Sequence, residues 1–180
     1  MNRRSFFALG ATGLLACARP ETLLAQDRCA PTLPNIEGPF FRAGAPIGTR
    51  LASDADGHAI QIHGRVRDTL CRPAQNGVIE VWQADAHGDY DNVGYRHRRQ
   101  VRCDAEGRFV FETIVPGRYR AGSMVRPAHI HVKVHADTRP TLTTQLYFPG
   151  DPHNDDDPWM RSALLLHGTG PDRYGFGFVV

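Results

Sequence analysis

The chain has 180 residues, of which 41% are hydrophobic and 22% charged, so it can bury one core and lacks room for a second domain of normal size. Its 21 Lys and Arg residues against 19 Asp and Glu give a formal net charge of +2. This charge is too small for a general nucleic-acid or membrane-surface binder, which needs a concentrated basic field, and a small-molecule ligand fits better.

Residues 1–25 have the layout of an export signal. Arg3 and Arg4 precede an apolar run over residues 8–18, which is too short to span a bilayer. The arginine pair, followed by Phe6 and Phe7, resembles a bacterial twin-arginine signal. We therefore expect a periplasmic or otherwise exported protein.

Cys17 ends a short stretch, LLAC over residues 14–17, that resembles a lipoprotein box. Cleavage before Cys17 would give a lipid-anchored protein, whereas cleavage after Ala18 or Ala25 would remove this cysteine. The sequence leaves these alternatives open.

Three further cysteines, Cys29, Cys71 and Cys103, leave one thiol unpaired in an oxidising compartment. We favour a disulfide between Cys29 and Cys71. Cys29 lies in an extended leader and Cys71 in a turn beside Pro73, where a bridge could join the leader to the core, while Cys103 is next to a predicted strand.

From about Ala59 onward, short β-favouring stretches alternate with Gly, Pro, Asp and Asn, and helix signals are scarce. The predicted strands are residues 60–66, 78–83, 108–112, 130–134, 143–148 and 176–180. Closely spaced strands indicate an antiparallel sandwich or barrel. The sequence therefore predicts an all-β fold, a single antiparallel β-sandwich over residues 59–180 with long loops, preceded by an extended N-terminal arm over residues 26–58.

Two histidines, His129 and His131, are two positions apart on a predicted strand. Alternate strand residues point to the same face of a sheet, so both imidazoles can reach one metal ion. In a chain with nine histidines such a pair is more often two surface side chains, and the neighbouring motifs decide between these interpretations.

Two tyrosines end segments in which a strand runs into a polar turn. Residues 78–90 (VIEVWQADAHGDY) end at Tyr90 and residues 111–119 (FETIVPGRY) end at Tyr119. With the RPAHIH motif of residues 126–131, they form an ordered set of motifs that extends to YFPGDP at residues 147–152. In this set the chain resembles the intradiol ring-cleavage dioxygenases, similar to the protocatechuate 3,4-dioxygenase and catechol 1,2-dioxygenase families.

The resemblance implies an Fe(III) ion held by two tyrosinates and two histidines. The matching positions are Tyr90, Tyr119, His129 and His131, whereas Tyr147 lies outside this set. A free phenol has a pKa near 10, but a trivalent cation strongly favours the ionised oxygen. Such an anionic set favours Fe(III), since oxygenases that use Fe(II) are built on two histidines and one carboxylate.

The resemblance also implies cleavage of a catechol-type aromatic diol by O2 to a muconate-type diacid. Tyr119 matches the ligand that the substrate displaces, and Arg126 matches an arginine that stabilises developing negative charge. Gln145 matches a glutamine that can hydrogen-bond Arg126 or oxygen-derived groups. The expected partners are a small aromatic diol, O2 and further copies of the chain in a homo-oligomer.

Two loops are shorter here than in that family, residues 92–99 and the stretch between Tyr119 and Arg126, so the identity of the diol cannot be carried over. The basic run of residues 96–99 (RHRR) could attract a carboxylated diol, although such a run is more often a solvated face. Residues 155–157 (DDD) lack the alternating carboxylates of a calcium loop and are predicted to form a solvated loop.

Two other functions fit parts of the pattern. A non-catalytic, transthyretin-like β-sandwich could bind a ligand or partner at the cell surface, since such folds host many functions. A zinc or copper protein is the second alternative, but sites for these metals usually favour histidine and thiolate over tyrosine.

Overall fold

A computed structural model describes residues 28–136 and 139–180, so the predicted export signal and Cys17 lie outside the described residues. Within this part, two 3-10 helices cover Asp54–Asp56 and Ser162–Leu164. No helix of the described part is long and apolar enough to cross a membrane. Ten strands make up the rest of its regular structure: β1 Ala59–Arg67, β2 Val78–Trp82, β3 Arg98–Arg102, β4 Arg108–Ile114, β5 Tyr119–Ala121, β6 Met124–Arg126, β7 His129–His135, β8 Leu142–Tyr147, β9 His167–Gly170 and β10 Arg173–Val179.

The strands form two four-stranded sheets that pack as a sandwich, which confirms the predicted all-β fold. One sheet has the order β4-β1-β10-β9 and the other β3-β2-β7-β8, while β5 and β6 form a separate hairpin. The pairs are antiparallel except for β1 and β10, which run parallel. All six predicted strands are present, and their observed bounds are close to the predicted ones.

The core lies between the two sheets and follows from the alternation of apolar side chains along each strand. In β1, Ile60, Ile62 and Val66 are buried, while Arg65 between them is exposed. Phe111 of β4 and Val132 of β7 are likewise fully buried in the same core. Burial of each such side chain stabilises the fold by about 1.5–3 kcal/mol.

Strand β7 is buried on both faces, which sets it apart from β1. Ile130, Val132 and Val134 contribute to the core, and His129 and His131 on the opposite face are also buried. A strand with two covered faces can carry a buried polar site without disturbing the apolar core.

The extended arm runs along both sheets before β1 begins. Its backbone amides donate to strand carbonyls, as in the bonds from Asn35 to Thr143 and from Leu51 to Glu112. The predicted disulfide between Cys29 and Cys71 is present, with Cα atoms 5.2 Å apart, and it joins the start of the arm to the turn after β1. Cys103 is a free thiol.

Candidate metal centre

The two tyrosines and two histidines selected from the sequence lie together beside β7. Ring centroids are 5.6 Å apart for Tyr90 and Tyr119, 5.6 Å for Tyr119 and His129, and 4.8 Å for His129 and His131. The ring centroids of Tyr90 and His131 are 6.0 Å apart, so each of the four rings lies beside two others. Four side chains separated by up to 41 positions in the sequence therefore surround one space.

Strand register places the histidines. His131 pairs with Trp82 of β2 on one side and Gln145 of β8 on the other, and the Trp82 ring stacks on the imidazole at 4.8 Å. His129 donates from Nδ1 to the carbonyl oxygen of Pro127 at 2.7 Å, so its Nε2 is the unprotonated nitrogen of the neutral ring.

The Nε2 atoms of His129 and His131 face each other at 3.2 Å. Two nitrogens that each lie about 2 Å from one ion are about 3 Å apart when the angle at the ion is near 90°. The histidine pair therefore has the spacing of two ligands of a single cation.

Close backbone packing brings the tyrosine loops together. A Cβ atom on Gly88 would lie 2.3 Å from the carbonyl oxygen of Arg118, and one on Gly117 would lie 2.4 Å from the amide nitrogen of Gly88. Gly88 also has a φ of +94°, a conformation that favours glycine. These two glycines allow the turns that carry Tyr90 and Tyr119 to touch, which a side chain at either position would prevent.

Burial keeps both imidazoles neutral in the metal-free protein. It lowers the pKa of His129 to about 4, with a further contribution from the nearby Arg126 guanidinium. The pKa of His131 is lowered well below its ordinary value by burial and by His129. Because a histidine must be unprotonated to bind a metal, both side chains are in the state that a cation needs.

The hydroxyl oxygen of Tyr90 is buried and has no hydrogen-bond partner within the described residues. Burial raises the pKa of Tyr90, and it also raises that of Tyr119, where the Arg126 guanidinium opposes the effect. A buried polar atom without a partner is costly, and a cation at this point would satisfy it and favour the phenolate.

This donor set fits a hard trivalent ion. In residues 28–136 and 139–180, no three His, Cys, Asp or Glu side chains are grouped to hold a metal, so an ion here depends on the tyrosines. Two imidazoles and two phenols match the set that the family resemblance implies for Fe(III). The assignment of these four residues as ligands stays a prediction.

Arg126 is buried beside this centre, and its guanidinium reaches four side chains. It donates to the Tyr119 hydroxyl at 3.3 Å, to Oε1 of Gln145 at 2.8 Å and to the Tyr147 hydroxyl at 3.4 Å. Its Nε donates to Asp157 at 2.5 Å. The structure thus brings together Arg126, Gln145 and Tyr119, the three residues expected from the sequence to be catalytic.

One sequence interpretation needs correction here. The solvated-loop prediction for residues 155–157 fits the exposed Asp155 and Asp156 but is wrong for Asp157, whose side chain is 0% exposed and ion-paired with Arg126. Tyr147, which the sequence placed outside the ligand set, hydrogen-bonds both Arg126 and Gln145. No local pattern could have found the contact between Arg126 and Asp157, since 31 positions separate these two residues.

The basic run over residues 96–99 is a solvated face only in part, since its first residue is exposed and the next two are buried. Arg98 is buried and donates to the backbone carbonyls of Phe40 and Asp91 at 2.6 and 2.9 Å. Arg96 pairs with Asp85 at 3.2 Å. Arg98 is therefore committed to protein carbonyls and holds the arm against the site, where Phe40 stacks on Tyr90 at 4.1 Å.

A surface depression of about 460 Å³ reaches the tyrosine side of the centre. Its wall includes both phenol-bearing residues, the arm and the loops that follow β2 and precede β5. The lining residues are Phe40, His87, Gly88, Asp89, Tyr90, Asn92, Arg118, Tyr119 and Arg120. A small molecule can therefore approach Tyr90 and Tyr119 from solvent.

Comparison with known proteins identifies a family and a fold for this chain. Residues 36–167 match the family model described as Dioxygenase. The catechol 1,2-dioxygenase of Acinetobacter baylyi is 34% identical over 150 residues, covering 68% of this chain and 48% of that protein. The protocatechuate 3,4-dioxygenase beta chain of Burkholderia cepacia is 41% identical over 129 residues, covering 64% of this chain and 51% of that protein. This chain thus spans about half the length of these two relatives.

A solved structure extends the comparison to three dimensions. The dioxygenase domain of a dioxygenase carbohydrate-binding protein fusion from Streptomyces sp. SirexAA-E superposes with a TM-score of 0.77 at 39% sequence identity. The match covers 84% of this chain and 98% of that domain. Most of this chain therefore has a structural counterpart in a domain of similar size.

Proposed function

The chain belongs to the intradiol dioxygenase family, and on this premise we propose that it is a non-haem Fe(III) enzyme. Its reaction is the cleavage of a catechol-type aromatic diol between the two hydroxyl-bearing carbons, with both atoms of O2 entering a muconate-type diacid. One observation carries the proposal: two tyrosine phenols and two buried, neutral imidazoles converge next to a buried guanidinium. The activities named for the relatives support it.

Tyr90, Tyr119, His129 and His131 would hold the ion. Ferric iron, when bound, supplies a Lewis acid that draws electron density from the diol and makes its ring reactive toward O2. The protein provides unprotonated Nε2 atoms on the histidines and a low-dielectric surrounding in which phenolate and cation attract strongly.

Arg126 contributes a permanent positive charge at the Tyr119 oxygen. Its guanidinium favours the phenolate form of this tyrosine and can stabilise negative charge that grows on the diol and on oxygen as the ring is attacked. Gln145 accepts from Arg126 and donates to the carbonyl oxygen of Ile36, so it links this guanidinium to the arm. The donors are in place before the reaction, which avoids reorganisation during it.

We also propose that the enzyme is exported, either to the periplasm or through lipidation of Cys17 to a membrane surface, and that it forms a homo-oligomer. The disulfide between Cys29 and Cys71 supports an oxidising compartment, because disulfides form and persist there.

Oxygen consumption by purified, iron-loaded protein tests the proposal. A panel of catechols with different ring substituents is added in an oxygen electrode, and the chelator-treated protein serves as the control. We expect oxygen uptake with at least one diol and none after iron removal. Binding of a catechol without any oxygen uptake would contradict the proposal and favour a non-catalytic binding module.

A further inference from the structure

The pair formed by Arg126 and Asp157 is the most deeply buried ion pair among the described residues. Their side chains are 2% and 0% exposed, and Nε of Arg126 donates to Oδ2 of Asp157 at 2.5 Å. Removing one partner of such a pair leaves an uncompensated charge in a low dielectric, so the remaining side chain is no longer stable in its place. Among the described residues, Asp157 is the only acidic side chain that forms an ion pair with Arg126.

Asp157 also shapes the turn that follows it. Its second oxygen, Oδ1, accepts the backbone amides of Trp159 and Met160 at 2.8 and 3.2 Å. The Trp159 ring consequently lies over the guanidinium, with its centroid 4.6 Å from Cζ of Arg126. One carboxylate therefore fixes both an edge contact and a face contact of the same arginine.

We propose that Asp157 is a positioning residue for the reaction and that, together with Trp159, it forms a clamp that sets the orientation of Arg126. This inference rests on the proposed function, since it assigns Arg126 a role in oxygen attack. The clamp residues act through the arginine and do not touch the diol.

The hydrogen bonds around the guanidinium explain why a clamp is needed. The contacts of Arg126 with the hydroxyls of Tyr119 and Tyr147 are long, at 3.3 and 3.4 Å, and Gln145 provides one shorter contact at 2.8 Å. Without Asp157, the bond to Gln145 would be the only short contact of the guanidinium. Rotation of the guanidinium about that bond would move its other nitrogen away from the Tyr119 hydroxyl. Charge stabilisation in a transition state depends on such preorganised geometry.

The test compares Asp157→Asn with Asp156→Asn in iron-loaded full-length protein. Both variants lose one carboxylate in the same turn, but Asp156 is exposed and makes no contact with Arg126. Catecholate binding is titrated without oxygen, and kcat is measured after oxygen is added. We expect Asp157→Asn to lower kcat by about 10- to 100-fold, the usual effect of losing an outer partner of a metal-site group, while catecholate affinity changes less than about 3-fold.

A double-variant comparison separates positioning from a general structural role. In an Arg126→Lys background the fork is already absent, so Asp157→Asn should lower kcat by less than about 3-fold further. Trp159→Leu, which removes only the face contact, should lower kcat of the otherwise unchanged protein by about 3- to 10-fold. If Asp157→Asn does not fold, the kcat of Trp159→Leu tests the clamp in its place.

The outcomes are distinguishable. Equal kcat for Asp157→Asn and Asp156→Asn, or the same fold-loss in the parent and Arg126→Lys backgrounds, would overturn the clamp and leave the proposed function intact. With unfolded Asp157→Asn, an unchanged kcat in Trp159→Leu would overturn it equally. A parent protein that consumes no oxygen with any diol removes the proposed function and the clamp together.

Discussion

Acidification of the metal-free protein should destabilise it through His129. Burial, aided by Arg126, lowers the pKa of this histidine to about 4 from an ordinary value of 6.5. At pH values between these two, this histidine is protonated in the unfolded chain and neutral in the folded chain. Stability present at neutral pH is therefore lost as the pH falls. The gap corresponds to about 3 kcal/mol of unfolding free energy, of which about 2 kcal/mol is lost by pH 4.5.

Urea unfolding of chelator-treated protein, followed by tryptophan fluorescence between pH 7 and pH 4.5, measures this loss. His129→Gln cannot take up the proton and should lose about 2 kcal/mol less than the parent over this range. His167→Gln, at an exposed position of β9, is the matched control and should follow the parent. If His129→Gln and the parent lost the same free energy, His129 would not be a buried neutral imidazole. The claim that it is already unprotonated for metal binding would then be refuted.

Three further outcomes are expected. Tyr119→Phe should change the red-brown phenolate-to-iron colour of iron-loaded protein and cripple turnover, whereas Tyr95→Phe, which only loses a bond to the Ala43 carbonyl, should keep both; an unchanged spectrum in Tyr119→Phe would remove it from the ligand set. Arg126→Ala should lower kcat by about 10²–10³ with a much smaller effect on catecholate binding, as stopped-flow absorbance can resolve, and equal losses in both would indicate a binding role. Replacing Cys29 and Cys71 by Ser should lower the unfolding free energy by about 4 kcal/mol, because the bridge closes a loop with a separation of 42 residues; a loss below about 1 kcal/mol in urea unfolding would contradict this.

Most of the sandwich could be predicted because apolar alternation is a local property. The missed strands lack it: β3 (RRQVR) is dominated by arginines, β5 and β6 have three residues each, and β9 (HGTG) is half glycine. The parallel pairing of β1 with β10 also has no local signal, since it joins the first and last strands of the chain.

The candidate site was predictable to the extent that its residues carry motifs. Alternate strand positions place His129 and His131 on one face, and this follows from strand geometry alone. The prediction that Tyr90 and Tyr119 lie together came from the family resemblance. The physical cause of their contact is the close packing of glycines between their turns. The role of Asp157 could not be predicted, because an acidic run looks solvated until a distant arginine is known to approach it.

Product analysis tests the central claim most directly. Iron-loaded protein is given a catechol that it oxidises, and the product is identified by absorbance and mass spectrometry. Cleavage between the hydroxyl-bearing carbons predicts a colourless muconate-type diacid that contains both atoms of O2. A yellow semialdehyde would show cleavage beside the hydroxyl groups and would contradict the account.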